Sequence, residues 1–467
     1  MTRSRRAAHT AIAALAVVTV LGGAFALVSP VAAQEVSGAS VSSADPSSIT
    51  FRVQVSGDPI SEATLNYQRF NPEGNIGGSV VAQVPSRGTG EVVAELPTNN
   101  GTTYIPVGTR FTYSWTLRTE DGDTVQTEPE EVVFLDGRFQ WQTLQEGDVT
   151  VYWYADAALA QSVLGASAGA VEDMASLLDV DIDFPITVVL YAGGDDGIPA
   201  QRPRGGVYDE MSRTGGTRVA PDLVHVYDSL GLGWEDITRH EITHVVTSAA
   251  GDGAFTSIPS WLDEGLATYA QANKGTRVNA VESAIQRDDT LRLRNLTAPT
   301  NRAELIELFY GQSWSTVEYL IDTYGAEKMA DLLATIKEGN TTDQALNEVY
   351  GFDQDGLYNE WRVSKGLQPI EYEPVAEATT TARPEGTRAP LTLPTSVAAG
   401  GSTSGGSTGT SEGGGSGDSV DATAGDGGNS NAMTAAIIGV VTIALAGGLG
   451  FVGLRMLRSK PSGPASS

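Results

Sequence analysis

A five-residue motif near the middle of the chain reads His240-Glu241-Ile242-Thr243-His244. On a helix, residues four apart lie on the same face, so both imidazoles can bind one metal ion. Glu241 lies one position further round, beside the ion, where it can take a proton from a bound water. The chain has 4 histidines in 467 residues, and two of them fall in this pentapeptide. The motif therefore predicts a metal site; the alternative is a pair of ordinary histidines on a surface helix.

A second acidic motif, Trp261-Leu262-Asp263-Glu264-Gly265-Leu266-Ala267, places a glutamate nineteen intervening residues after His244. Zinc prefers nitrogen and oxygen ligands in a tetrahedron, and a catalytic site keeps one position for water. Glu264 is the natural third protein ligand. We therefore predict one Zn²⁺ ion bound by His240, His244 and Glu264, with Glu241 as the general base.

The two motifs and their spacing resemble the gluzincin clan of metallopeptidases. They most resemble the bacterial peptidase-MA-like domains, which are distant relatives of the aminopeptidase N group. The resemblance covers residues from about 141 to 366. In that family the two histidines and the downstream glutamate bind zinc, and the glutamate between the histidines is the catalytic base. The resemblance implies these roles for His240, His244, Glu264 and Glu241, and it implies a thermolysin-like zincin fold.

The resemblance also implies a hydrogen-bond donor at Tyr310. In the aminopeptidases, a tyrosine on the helix after the metal site stabilises the tetrahedral intermediate. The stretch Phe309-Tyr310-Gly311-Gln312-Ser313 occupies the corresponding place, ahead of an apolar helix. A neutral phenol suits this task because a donor aimed at developing oxyanion charge lowers the barrier. The alternatives are that Tyr310 is a core or surface residue, and Tyr269 is the second candidate donor.

One departure from the aminopeptidase pattern concerns the substrate's amino terminus. The Gly-x-Met-Glu-Asn segment that binds it in that group is missing, and Arg218-Val219-Ala220-Pro221 occupies that region. The sequence therefore favours an endopeptidase over an aminopeptidase. His225 is interpreted as a strand residue rather than a ligand. Thr268, one turn beyond Glu264, either orients a ligand imidazole or only packs.

Both ends of the chain carry apolar segments. Residues 1–33 have basic residues, an apolar stretch and a small-residue cleavage site, which predict a signal peptide; a retained anchor is the alternative. Residues 432–454 form an uncharged apolar run long enough to span a bilayer. Basic residues follow in 455–467 and predict a cytoplasmic tail. We therefore expect a cell-membrane protein with one span and extracellular N-terminal domains.

Composition narrows the class of partner. The formal net charge is −28, and such a surface repels nucleic acid. The chain has no cysteine, so its exported domains are held by their cores rather than by disulfides. The expected partners are a peptide or protein substrate and the membrane that holds the span.

The domain organisation follows from periodicity. Residues 34–137 alternate apolar and polar side chains between turn signals, which predicts an immunoglobulin- or fibronectin-like β-sandwich with Trp115 in its core. Residues 138–274 predict an α+β zincin subdomain that carries both motifs, and residues 275–368 predict a helical subdomain. Residues 369–431 are rich in Gly, Ser and Thr and predict a disordered linker.

Within the predicted catalytic part, strands are expected at 149–154, 186–191 and 223–227, and helices at 157–178 and 234–249. Residues 193–216 predict a long loop. The spacing of Ser260 and Asp263 predicts a capping box at the start of the helix that carries Glu264. Four glycines, Gly325, Gly339, Gly351 and Gly366, are expected to close successive helices.

Three functions remain open at this point. The first is a tethered extracellular zinc peptidase that cleaves peptide bonds by metal-activated water. The second is a surface adhesion or scaffold protein that retains the metallopeptidase fold and only binds zinc or a partner. The complete set of ligand and base residues favours the enzyme. A hydrolase acting on a non-peptide amide or ester is a third alternative.

Overall fold

The computed structural model describes residues 35–202, 215–227, 233–297, 302 and 305–372. The predicted signal peptide (1–33), residues 373–431 of the predicted linker, the predicted span (432–454) and the predicted tail (455–467) lie outside the described residues. Within the described part, no helix is both long enough and apolar enough to cross a bilayer.

The N-terminal part is built from eight strands in two sheets. They are β1 (Glu35–Ser42), β2 (Ser48–Ser56), β3 (Ile60–Arg69), β4 (Ile76–Val81), β5 (Gly90–Pro97), β6 (Arg110–Thr119), β7 (Thr124–Gln126) and β8 (Glu130–Val133). One sheet has the order β1-β2-β5, and the other has the order β4-β3-β6-β7, with β8 also paired to β6. The prediction of sandwich-like β-sheets in this region is confirmed.

Alternation of side chains explains why these strands form a layered core. Ile49, Phe51, Val53 and Val55 on β2 are all buried, while the residues between them are not. A strand with one face on a core shows this period of two. Trp115 on β6 is 1 % exposed, which confirms its prediction as a core residue.

A third sheet, of mixed direction, follows the sandwich. Its strands are β9 (Gln142–Glu146), β10 (Val149–Trp153), β11 (Ile186–Leu190), β12 (Gly216–Ala220) and β13 (Leu223–Val226). Their order is β12-β13-β11-β10-β9; β10, β11 and β13 run parallel, and the two edge strands run antiparallel to their neighbours. The helices of this part are α1 (Ala157–Leu178), the short α2 (Gly194–Gly197) and α3 (Trp234–Gly251).

Both faces of the third sheet are covered by protein, which accounts for the nearly continuous apolar run in β11. Val188 and Leu190 belong to one core with residues of α1 and α3. Val189 and Tyr191 belong to the other core, which is shared with the sandwich. Central strands buried on both faces need apolar residues at every position. The third sheet is therefore a shared wall between the sandwich and the helices.

The C-terminal part of the described chain is helical. Its helices are α4 (Ser260–Tyr269), α5 (Thr276–Arg287), α6 (Ile306–Tyr324), α7 (Ala326–Lys337), α8 (Thr342–Tyr350) and α9 (Gln354–Ser364). Their apolar faces form one core. The four glycines expected at helix ends all have positive φ and follow α6, α7, α8 and α9, which confirms that prediction.

Some local predictions differ from the structure. The long loop expected at 193–216 contains α2, and its last residue begins β12; residues 203–214 lie outside the described residues. The capping box is wrong. Pro259 occupies the cap position of α4 without a side-chain hydrogen bond, and Ser260 Oγ instead donates to the Thr297 carbonyl at 2.7 Å.

Candidate metal centre

The helix α3 carries the first motif in a fully enclosed position. His240, Glu241 and His244 are each 1 % exposed. The two histidine rings lie 4.9 Å apart, centroid to centroid, because residues four apart stack along one helix face. The helix is buried on this face because it lies between the mixed sheet and α4. The imidazoles of His240 and His244 therefore lie side by side in the protein interior, away from bulk water.

The helix α4 brings Glu264 to the same point. Its Oε2 atom lies 3.2 Å from His240 Nε2 and 3.6 Å from His244 Nε2. One donor atom from each of the three residues lies within 4.8 Å of the others. The structure thus brings all three predicted ligands together. No other group of three histidines or carboxylates with this closeness occurs within the described ranges.

Four atoms at this point form no hydrogen bond with any described residue: His240 Nε2, His244 Nε2, Glu264 Oε2 and Glu241 Oε1. Buried polar atoms nearly always have a hydrogen-bond partner in the protein. Several buried atoms whose lone pairs point at one place without a donor therefore indicate a partner that is not a protein group. A divalent cation supplies that partner. Two imidazoles and one carboxylate are also the donor set of open, catalytic zinc sites. The residues present therefore fit a metal ion.

Asp263 orients one of the imidazoles. Its Oδ1 atom lies 2.9 Å from His244 Nδ1 and accepts a 2.6 Å hydrogen bond from Thr247 Oγ1. A carboxylate on the far nitrogen fixes the tautomer of a metal-binding histidine and directs its other nitrogen toward the ion. The sequence predicted Asp263 as part of a helix-capping box, and its contact with His244 was not predicted. The available signal was its position directly before the ligand glutamate.

Glu241 is held by the edge strand β12. The Arg218 backbone N–H donates to Glu241 Oε2 at 2.9 Å, and the Arg218 side chain donates from Nη1 to the His244 carbonyl at 2.8 Å. Burial raises the pKa of Glu241 to about 8. One carboxylate oxygen is therefore fixed while the other stays available next to the ligand atoms. From the sequence, the region of Arg218 was noted only because the Gly-x-Met-Glu-Asn segment of the aminopeptidases is missing there. The contact with Glu241 was not predicted.

The electrostatics of the ligands differ. Burial lowers the pKa of His240 well below its ordinary value, so this imidazole stays neutral, as metal binding requires. Burial also lowers the pKa of His244, but the charges of Asp263 and Glu264 outweigh it and raise the pKa to about 9. Burial raises the pKa of Glu264 to about 7. A cation at this centre competes with protons for the same lone pairs, so its affinity falls as the pH falls.

Tyr310 lies beside the site. It is completely buried on α6, and its ring centroid is 6.2 Å from that of His240. The structure therefore brings the predicted donor next to a predicted ligand. Tyr269, the second candidate, is a partly buried member of the packing around the helical core.

Two other residues singled out by the sequence act elsewhere. His225 is fully buried and bonded on both nitrogens, with Nε2 2.7 Å from the Val107 carbonyl and Nδ1 2.9 Å from Gln201 Nε2. It belongs to the contact with the sandwich and not to the group of ligands. Thr268 Oγ1 accepts a 3.3 Å hydrogen bond from Arg277 Nη1, and no bond to an imidazole is formed.

Comparison with known proteins gives one family match, to the second half of the described chain. Residues 170–365 match the family model of the Peptidase MA superfamily, which confirms the resemblance at superfamily level. The match contains both motifs and Tyr310. The more distant relation to aminopeptidase N stays a prediction.

Other comparisons add little. No curated protein matches the chain. Among solved structures, the chain is similar to the purple acid phosphatase PPD1 from seeds of yellow lupin (Lupinus luteus), with 15 % identity over 34 % of this chain and 30 % of that chain. The TM-score is 0.18, too low to support any conclusion about fold or function.

Proposed function

We propose, from the premise that residues 170–365 form a Peptidase MA superfamily domain, that this chain is a zinc-dependent peptidase. The observation that carries the proposal is the convergence of three buried ligand atoms beside a carboxylate with one unpaired oxygen. A purely structural site has no need of that extra carboxylate. The mixed sheet, α3 and α4 also suit a thermolysin-like zincin arrangement, in which the metal lies between two helices.

His240, His244 and Glu264 would hold the ion, with Asp263 behind His244. When bound, zinc supplies a Lewis acid that polarises the scissile carbonyl and lowers the pKa of a water molecule. Neutral imidazoles and one carboxylate leave the ion with a net positive charge. That charge would favour the oxyanion that develops during attack on a peptide carbonyl.

Glu241 acts as the proton carrier. Its Oε2 atom is fixed by the Arg218 N–H, so its unpaired Oε1 atom faces the place where a water would attack. Glu241 accepts the water proton and later delivers it to the leaving amine. Burial raises its pKa to about 8, and a value near the working pH suits a group that must both take and return a proton.

Tyr310 supplies a further donor. Its ring lies against His240 on the side of the site formed by α6. A donor placed there stabilises the oxyanion by hydrogen bonding, an effect worth about 3 kcal/mol in comparable sites.

We further propose an endopeptidase. The strand β12 occupies the region where aminopeptidases place the glutamate that binds a substrate's amino terminus, and its residues Arg218, Val219 and Ala220 include no carboxylate. A substrate chain would therefore extend past the metal in both directions without a charge to fix its end.

The protein is proposed to act outside the cell, held by the apolar run 432–454 with the basic tail inside. Three features support an exported domain: the predicted signal peptide, the lack of cysteine and the strongly acidic composition. Epitope tags at residue 36 and at the C-terminus test this: external protease on intact cells should remove only the N-terminal tag. Loss of both tags, or of neither, contradicts the topology.

The decisive test is the variant Glu241→Gln. We expect it to bind one zinc per chain, as measured by elemental analysis, and to lose turnover of a peptide library by about a thousandfold or more, since the amide of glutamine cannot accept the proton. Glu235→Gln is the matched control and should keep full activity: Glu235 lies exposed on the first turn of the same helix and accepts a hydrogen bond from Ser162. Activity that survives in Glu241→Gln, or that persists in the wild type after chelation, overturns the mechanism. A zinc-bound wild type that cleaves no peptide favours the scaffold alternative.

A further inference from the structure

A buried arginine lies next to the metal centre without a carboxylate partner. Arg277, at the start of α5, is 5 % exposed. Within the part of the chain that the structure describes, it forms no ion pair. Arginine is almost never buried without a charged partner, because removing its charge from water is costly. Its position therefore calls for an explanation other than a salt bridge.

The neutral groups that Arg277 contacts lie on the helix that carries Glu264 or just after its end. Its Nη1 atom donates to Thr268 Oγ1 at 3.3 Å and to Gln271 Oε1. Glu264 and Thr268 are four residues apart and share one face of α4, and Gln271 lies just after the end of this helix. The guanidinium is thus attached to the same helix face that presents Glu264.

The guanidinium of Arg277 lies over the Tyr310 ring. The Arg277 Cζ atom is 4.6 Å from the centroid of the Tyr310 ring, which is within cation–π range. The backbones are equally close: a Cβ on Gly311 would lie 2.4 Å from the Arg277 carbonyl oxygen. The start of α5 is therefore pinned against the turn of α6 that carries Tyr310. One side chain links the ligand helix to the phenol ring.

We propose that Arg277 is a positioning residue that holds the Tyr310 ring at the metal centre and keeps it in register with Glu264. The proposal rests on the proposed function, since it gives Tyr310 a task in the reaction. A planar cation restrains both the tilt and the distance of a ring, which an aliphatic neighbour does not. The two side chains that accept hydrogen bonds from Arg277, Thr268 and Gln271, are neutral.

A double-mutant cycle tests the link. Arg277→Met should lower kcat about ten- to a hundredfold, because a displaced donor loses most of its effect, while KM and zinc content change little. Tyr310→Phe should lower kcat by a similar factor. In the Tyr310→Phe background, adding Arg277→Met should cause no further loss. Independent, multiplying losses in the double variant overturn the proposal, as does an Arg277→Met enzyme with normal kcat.

Arg277→Lys distinguishes charge from shape. Lysine keeps the cation but lacks the flat stacking face, so kcat should fall between the wild type and Arg277→Met. Full rescue by lysine contradicts a role for the planar face.

A second readout does not depend on activity. In metal-free protein labelled with 3-fluorotyrosine, the ¹⁹F resonance of Tyr310 is assigned from its absence in Tyr310→Phe. Arg277→Met should shift this resonance. Arg292→Met is the matched control because Arg292 stacks on Tyr372, 3.9 Å from its ring centroid; it should shift the Tyr372 signal and leave that of Tyr310 unchanged.

If Arg277→Met does not fold, Gln271→Leu removes an acceptor of the guanidinium while keeping the arginine, and it should shift the same resonance. An unmoved Tyr310 signal in the folded variant overturns the proposal even if the wild type proves to have no peptidase activity. A shifted signal in an inactive wild type supports the contact between Arg277 and Tyr310 and instead removes the proposed function.

Discussion

Two neighbouring carboxylates at the metal centre have opposite tasks. Glu264 directs an unpaired oxygen at the ligand cluster, whereas Asp263 lies on the far side of His244 and holds its ring. Burial raises the pKa of Asp263, but the charge of His244 outweighs it and lowers the pKa to about 2. Asp263 therefore stays ionised at any pH at which the domain works, and it keeps His244 in one orientation.

Replacing Asp263 by Asn should weaken zinc binding by about ten- to a hundredfold, because the amide cannot supply the negative charge that makes His244 a strong ligand. Competition with a chromophoric chelator measures this affinity. Asp252→Asn is the control: Asp252 is partly buried at the C-terminal end of α3, where it accepts hydrogen bonds from Ser248 and from the Ile258 N–H. Equal zinc affinity in Asp263→Asn and the wild type contradicts the orienting role.

At the residue level, the sequence could predict what local geometry decides. His240 and His244 share a face because a helix repeats every 3.6 residues, and that fact needs no tertiary structure. Glu264 was found through a recurring motif. The roles of Asp263 and Arg218 depend on how α4 and β12 pack against α3, and the role of Arg277 depends on how α5 packs against α6. No periodicity in the sequence carries that information.

At the level of elements, the seam between α4 and α6 decides how the centre is assembled. A Cβ on Gly265 would lie 2.6 Å from both the Ser313 carbonyl oxygen and Val317 Cγ2. The absence of a side chain lets the two helices approach at this point. Glu264 on one helix and Tyr310 on the other are therefore brought toward the same site.

Gly265→Ala should lower the free energy of unfolding by about 1–3 kcal/mol, because the added methyl overfills the seam. It should also weaken zinc binding, since Glu264 is the adjacent residue. Urea unfolding and chelator competition measure the two effects. Gly165→Ala on α1 is the matched control: the new methyl meets no atom within 4 Å, so it should raise stability by about 0.5–1 kcal/mol through helix propensity. A Gly265→Ala protein as stable as the wild type contradicts tight packing at the seam.

Elements with strong local patterns were predicted well. The helix expected at 157–178 is α1 with the same bounds, and the strand expected at 223–227 is β13, one residue shorter. The edge strands β9 and β12 were missed. Both are short, and β12 has a buried arginine in its centre, so only pairing with the neighbouring strand identifies it. Local propensity does not reveal a strand whose stability comes from tertiary contacts.

At the level of the whole molecule, the sandwich and the mixed sheet share one apolar core. A Cβ on Gly108 of the sandwich would lie 2.6 Å from Leu223 Cδ1 and 2.7 Å from Val189 Cγ2, so the two parts are in direct contact. The only fully buried histidine outside the metal centre in the described part, His225, bonds to the Val107 carbonyl across this boundary. Arg110 adds a 2.8 Å ion pair with Asp222.

This boundary should be sensitive to acid through His225. Burial lowers the pKa of His225 to about 4 from its ordinary 6.5. Below pH 6.5 the imidazole of His225 binds a proton in the unfolded chain, whereas in the folded chain it stays neutral down to about pH 4. The free energy of unfolding therefore falls as the pH is lowered from 6.5 to 4. The full effect is roughly 3 kcal/mol. His225→Gln should show a shallower loss of stability between pH 7 and 4.5 in urea unfolding. Because other titrating groups are common to both proteins, identical slopes would show that His225 does not contribute.

The apolar face that joins the sandwich to the mixed sheet also limits how this chain can be recombined. If the catalytic region were fused to a different β-domain, Val189, Tyr191 and Leu223 would be exposed to solvent. Only a new domain with a complementary apolar surface would bury them again. The sandwich and the mixed sheet therefore form one structural unit. A substitution on one side of their shared core should be tolerated only with a compensating substitution on the other side. A protein engineer who wants the active helix must take the sandwich with it.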